Sequence, residues 1–198
     1  MKITEIFYSI QGEGKNIGEP AIFIRLSGCN LKCKFCDTKR SWKDGKNYTV
    51  KELIMEIKKY PCNHIIWTGG EPTLQQDEIL KVINSLGSGW YHELETNGTN
   101  FLKDPYIFNL ITISPKKETK VYYNSPNSVF KFIIDNKSEY KRAKSWVKKN
   151  NIPLYKVYMM PEGMNKQILT KRGKWLVKEC KKDNFNYSHR LQYTLGLK

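Results

Sequence analysis

The chain has 198 residues and a net charge of +15, with 39% hydrophobic and 27% charged residues. That length holds one domain with a real core and scarcely two, and the composition excludes a disordered or fibrous chain. No apolar run approaches the ~18–20 residues that span a bilayer, and Met1–Gly14 has no apolar stretch of the signal-peptide kind, so a soluble, cytoplasmic protein without a membrane partner is expected.

Ala21–Leu26 reads as a buried strand in which Arg25 is the odd residue, and it ends at Ser27-Gly28. A cysteine-bearing loop follows at once. Thr49 and Glu52 form a capping box that opens a helix with Val50, Leu53, Ile54 and Ile57 on its buried face. His64–Thr68 is a second strand, closed by Gly69-Gly70, and Leu74–Leu86 a second helix. Trp90–Glu95, Leu110–Ser114 and Val129–Ile134 have strand character, with a polar loop over Lys116–Asn127. Ser138–Asn150 is helical by pattern, Pro153–Met160 a strand, Asn165–Lys182 a long basic amphipathic helix, and Tyr187–Leu195 a last strand.

About six strands alternate with four helices, which implies an α/β fold with a mostly parallel sheet and right-handed crossovers. Eight-fold barrels usually take about 250 residues. The expectation is therefore an incomplete (β/α) barrel forming a single domain over 1–198. The excess cations are spread along helices, in Lys141–Lys149 and Lys171–Lys182, rather than gathered in one block. They suit a lysine-rich surface or an anionic small substrate, and nucleic acid is not expected as a partner.

Five cysteines without a secretory signal argue against a disulfide framework. Cys29, Cys33 and Cys36 stand at C-x3-C-x2-C spacing on the loop after the first strand. A short loop can turn three thiolates around one centre, and thiolates select iron–sulfur clusters or zinc. Three cysteines leave the fourth iron of a cubane open to a ligand. A structural zinc needs a fourth protein ligand, which Cys62 or His64 would supply. A second paired knuckle is missing, so the cluster is the better reading.

Polar sets follow the strands: Thr68-Gly69-Gly70-Glu71-Pro72, Glu95-Thr96-Asn97-Gly98 and Ser114-Pro115-Lys116. Ligands bind at that edge of barrel-like α/β folds. Glycines there admit close backbone approach, and Glu71 has the charge to receive a ligand ammonium. Gln11-Gly12-Glu13-Gly14 is polar and flexible. A buried guanidinium needs a carboxylate, so Arg25 faces either an internal acid or a substrate carboxylate.

Cys29-x3-Cys33-x2-Cys36, with Phe35 before the last cysteine, resembles the signature of the radical S-adenosylmethionine (SAM) superfamily, and Gly69-Gly70-Glu71-Pro72 its SAM-binding turn. Ser9–Gly14, Arg25, Ser27-Gly28-Cys29, Cys36-Asp37-Thr38, Thr68–Pro72, Glu95–Gly98 and Ser114–Lys116 resemble the 7-carboxy-7-deazaguanine synthase family of queuosine-precursor biosynthesis. The likeness is dense over 5–116 and looser beyond.

The resemblance implies a 4Fe–4S cluster on Cys29, Cys33 and Cys36, with SAM on its open iron. A 5′-deoxyadenosyl radical abstracts hydrogen from 6-carboxy-5,6,7,8-tetrahydropterin, the ring contracts and ammonia leaves. Mg2+ holds the substrate, with Thr38 supplying a hydroxyl. Phe35, Cys36, Asp37, Gly70, Glu71, Glu95, Ser114, Pro115 and Lys116 are the implied SAM-side residues. Ile10, Gln11, Gly12, Glu13, Arg25 and Thr68 are the implied substrate contacts. Met160-Pro161-Glu162-Gly163 stands where the family has Gln-Pro, so its SAM contacts depart from the pattern. The tail, about 184–198, closes the site, with the carboxylate of Lys198, His189 or Gln192 reaching the substrate. An electron donor such as flavodoxin or ferredoxin and a homodimer are also implied. Two rivals are a glycyl-radical-enzyme activating enzyme, which needs neither Gln-Gly-Glu-Gly nor Cys-Asp-Thr, and a basic zinc-binding nucleic-acid module.

Overall fold

The computed structural model describes residues 1–34, 36–116, 119 and 124–198. Phe35 and part of the predicted 116–127 loop lie outside them. In chain order the elements are β1 (Lys2–Ile10), β2 (Pro20–Leu26), β3 (Lys46–Asn47), α1 (Val50–Ile57), β4 (His64–Gly69), α2 (Gln76–Leu86), β5 (Tyr91–Thr96), β6 (Leu110–Ile113), β7 (Ser128–Ile134), α3 (Lys137–Lys149), β8 (Val157–Pro161), α4 (Lys166–Asp183), β9 (Asn186–Tyr187) and α5 (Leu191–Leu195). Among the described residues nine strands form one sheet in the order β3-β1-β2-β4-β5-β6-β7-β8-β9. β1 runs antiparallel to β2 and β3, and the neighbours from β2 to β9 are parallel. The sheet stays open, as an incomplete barrel should.

Three expectations are corrected. Among the described residues the strands number nine rather than about six, chiefly because β1 is hidden from a period-two reading: only Ile3 and Phe7 of its nine residues are buried, four positions apart. The predicted last strand is two residues of β9 followed by the helix α5. The Pro153–Met160 strand begins only at Val157, because Leu154–Lys156 forms a 3-10 turn after Pro153. The capping box on α1 forms as expected, Thr49 accepting from the Glu52 N–H and Glu52 from that of Thr49.

Side chains alternate across each strand. One set, including Ile22, Ile24, Leu26, Ile65, Trp67, Leu94, Ile111, Phe130 and Phe132, packs with Leu53, Ile57, Ile79, Val82 and Leu176 of the helices into the main core. Each such side chain contributes about 1.5–3 kcal/mol on burial. The other set carries the polar residues. Strand register places Glu5 beside Arg25, Arg25 beside Thr68 and Glu95 beside Thr112. No helix among the described residues is long and apolar enough to cross a membrane.

Candidate active site

A cavity of about 520 Å³ opens at the C-terminal ends of the parallel strands, lined from β2 by Arg25, from β4 by Thr68, from β5 by Glu95 and from β8 by Met160. One wall is the loop after β2. Cys29, Cys33 and Cys36 all line it, and none is in a disulfide. The loop turns on Cys36 N–H to Cys33 C=O at 3.1 Å. Burial pushes the Cys29 thiol up, and neighbouring Glu71, Cys33 and Cys36 add to that shift.

The loop is sewn to the glycine turn after β4. Gly70 N–H donates to Leu26 C=O at 3.0 Å, and Glu71 N–H to Gly28 C=O at 2.8 Å. A β-carbon on Gly69 would lie 2.2 Å from Leu26 O. These glycines therefore let two strand ends meet, rather than only admitting a ligand. Glu71 also departs from expectation. Its buried carboxylate accepts from Thr73 N–H at 3.1 Å, Thr96 Oγ1 at 2.7 Å and Asn97 N–H at 2.7 Å. Those bonds join the β4 and β5 ends and commit both oxygens internally. Desolvation raises its pKa against these bonds.

The opposite wall is charged. Lys131, from β7, donates to Glu13 at 2.7 Å and to Glu95 at 3.2 Å. Glu95 accepts from Thr68 Oγ1 at 2.7 Å. Arg190 donates to Glu13 at 2.9 Å, to Gly163 C=O at 2.7 Å and to Asp37. Burial opposes ionisation of Glu13, yet the Lys131 and Arg190 charges win and hold it far below the usual glutamate range. The Lys131 ammonium, equally buried, is driven upward by Glu13 and Glu95. Desolvation lowers Lys116, with the Cys33 thiol resisting.

Of the predicted residues, Ile10, Gln11, Gly12, Glu13, Arg25, Cys36, Asp37, Thr38, Thr68, Gly70, Glu71, Glu95, Ser114, Lys116, Met160, Glu162 and Lys198 line this one cavity, whereas Pro115, Pro161 and Gly163 do not. Gly163 takes part only through the carbonyl bonded to Arg190. Arg25 has an internal partner, Glu5, at 2.8 Å, and Glu5 also holds Arg40 at 2.5 Å. Thr38 Oγ1 donates to Asp37 at 2.8 Å. Gln192 reaches the site through Glu13 at 2.7 Å. His189 turns away to the Tyr187 hydroxyl at 3.1 Å. Sequence reasoning missed Glu5, Lys131, Arg190 and Tyr193. Lys131 carried a signal, a lone cation in the apolar run Val129–Ile134 like Arg25 in its own strand. The zinc alternative loses its fourth ligand. Cys62 and His64 sit at the N-terminal start of β4, where Cys62 contacts Pro20 C=O at 3.4 Å and His64 contacts Glu93 at 3.4 Å.

Among the described residues no three His, Cys, Asp or Glu side chains stand at chelating distance. Cys33 and Cys36 are nevertheless close enough to Cys29 to raise its pKa, and all three are part-exposed and together on a cavity wall, so the donor set fits a thiolate-held cluster with one open side.

The chain matches the Radical SAM superfamily over residues 23–169, most of its length, which places the molecule in that class of enzymes. It is 50% identical over 121 residues to a 7-carboxy-7-deazaguanine synthase of Bacteroides thetaiotaomicron, spanning 61% of this chain and 63% of that one, under two thirds of each. It is 32% identical over 219 residues to a 7-carboxy-7-deazaguanine synthase of Hyperthermus butylicus, covering 100% of this chain and 93% of the relative. The crystal structure of QueE from Escherichia coli shares the fold, with a TM-score of 0.75 over 95% of this chain and 92% of that one at 22% identity. The chain belongs to the 7-carboxy-7-deazaguanine synthase family.

Proposed function

We propose that the protein is a carbon–nitrogen lyase converting 6-carboxy-5,6,7,8-tetrahydropterin to 7-carboxy-7-deazaguanine with loss of ammonia. The observation that carries this reading is that the three-cysteine wall and the Arg25, Thr68, Glu95 and Glu13 wall face one cavity. Cys29, Cys33 and Cys36 would hold the 4Fe–4S cluster, and Gly70, Ser114 and Lys116 would flank SAM. Bound there, cluster and SAM supply one-electron reduction and hydrogen abstraction.

The chain's own residues bind and shield. The Arg25 guanidinium, fixed by Glu5, presents its remaining donors to a substrate carboxylate, for which the planar fork is suited. Glu13, kept ionised by Lys131 and Arg190, and Glu95, paired with Lys131, accept from the N–H groups of a pterin ring. Thr38 offers a hard hydroxyl oxygen of the kind that Mg2+ takes, and Asp37, bonded to it, stands on the SAM side. The tail from Ser188 onward shields this side from water, as one part of a single domain working in a cytoplasmic homodimer reduced by a flavodoxin or ferredoxin.

The test is anaerobic incubation of the reconstituted protein with SAM, Mg2+, reductant and the tetrahydropterin, monitored for the deazapurine. SAM cleavage without that product would favour a glycyl-radical activating enzyme. One zinc and no labile sulfide in anoxically purified protein would refute the cluster.

A further inference from the structure

Arg190 joins three parts of the chain remote in sequence: the loop after β1, the cysteine loop, and the turn after β8. Its side chain is 5% exposed. Nε donates to Glu13 Oε1 at 2.9 Å, Nη1 to Gly163 C=O at 2.7 Å, and Nη2 to Asp37 Oδ2. Asp37 directly follows the third cysteine. Neighbours repeat both ties: Gln192 Nε2 donates to Glu13 at 2.7 Å and the Tyr193 hydroxyl to Asp37 at 3.3 Å. Tyr193 also stacks under the guanidinium, 4.6 Å from ring centre to Cζ. Leu191 N–H donates to Gly12 C=O at 3.0 Å.

A guanidinium presents its donors in a rigid plane, so the three acceptors are fixed relative to one another and not merely attracted. Charge-assisted bonds of this kind are strong; Arg190 is buried, while Asp37 keeps 29% of its side chain exposed.

We infer that Arg190 is a positioning residue: it sets the cysteine loop, through Asp37, against the substrate-side loop, through Glu13. This deepens the proposed function and rests on it for the naming of the two walls. The coupling of the loops stands on geometry alone.

The test uses the full-length chain before iron–sulfur reconstitution, with trypsin as probe, because Lys32, Lys34, Lys39 and Arg40 are exposed cut sites on that loop. R190Q and D37N should each speed cleavage at these sites about tenfold, as expected on losing a charge-assisted bond. The double variant should be no faster than the faster single one, since the Arg190–Asp37 bond is the interaction that both remove. R190K, keeping charge but not the fork, should give partial rescue. After reconstitution, R190Q should cleave more SAM per product formed than wild type.

D37N leaves the Glu13 and Gly163 bonds intact, so it decides the matter if R190Q does not fold. Unchanged loop cleavage in D37N, or effects that multiply in the double variant, overturn the proposal. A wild-type protein that makes no deazapurine while its variants loosen the loop overturns the substrate assignment and leaves the coupling in place.

Discussion

Gly70 and Gly28 approach so closely that a β-carbon on Gly70 would stand 2.0 Å from the Gly28 carbonyl oxygen. The obstacle is backbone, with Ser41 O a further 3.0 Å contact, so no side-chain rotation relieves it. Gly28 immediately precedes Cys29. Gly70→Ala should therefore displace the start of the cysteine loop. The expected outcome is a stability loss of about 1–3 kcal/mol and lowered iron and sulfide content after reconstitution, read by urea unfolding and metal analysis.

Gly12 offers a contrasting case. Its added β-carbon would fall 2.1 Å from Gln192 Oε1 and 3.2 Å from the Gln192 N. The nearer atom ends a flexible side chain. Gly12→Ala should loosen the tail and raise KM for the tetrahydropterin more than it lowers kcat. Adding Gln192→Ala should restore part of the lost stability, seen as a recovery in melting temperature.

Glu13 should contribute to stability in a pH-dependent way. Its folded pKa lies below the ordinary 4.5, so below that value the unfolded chain binds a proton that the folded chain does not. Stability from this group is complete above 4.5 and is lost as pH falls. Glu13→Gln should cost about 3 kcal/mol at pH 7, as for a broken buried pair, and the deficit against wild type should shrink below pH 4.5. Lys131→Met, which leaves two carboxylates facing each other, should cost at least as much. Urea titrations at pH 7 and pH 3 check both.

His92 governs a higher window. Trp67 Nε1–H donates to His92 Nδ1 at 3.3 Å, which puts the imidazole proton on Nε2. Burial, with His64 nearby, lowers its pKa from 6.5 to about 4. Between those values the unfolded chain holds the extra proton, so stability falls as pH drops, by up to about 1.4 kcal/mol per pH unit. Imidazole NMR should show His92 neutral at pH 5.5. A charged ring at that pH would contradict this account.

The sequence exposed the site more fully than the frame around it. Cys29, Gly70 and Ser114 were legible because each follows a strand whose apolar run is easily seen, and Glu95 because it stands near the end of β5, just before the Asn97-Gly98 turn. β1 was not, since Ile3 and Phe7 alone are buried in it and its pairing to β2 is long-range. The internal partners of Glu71 and Gly69 were missed for a related reason. Their partners, Asn97 and Leu26, are remote in the chain, and a motif read in one dimension does not show which groups it touches. Arg190 stands beyond the region of dense family likeness, and its three acceptors come from three separate loops. His189, one position earlier, looked the better candidate only by its chemistry.

The sheet curls without sealing, and its two margins are bridged by a handful of bonds between the tail and the residues after β1, among them Gly14 N–H to Ser188 Oγ at 2.7 Å and Leu191 N–H to Gly12 C=O. A closed stave-work would need paired strands to part before anything bulky got in or out. Here the seam is held by single bonds from the tail rather than by a strand ladder, so it stands apart from the pairing that holds the sheet together.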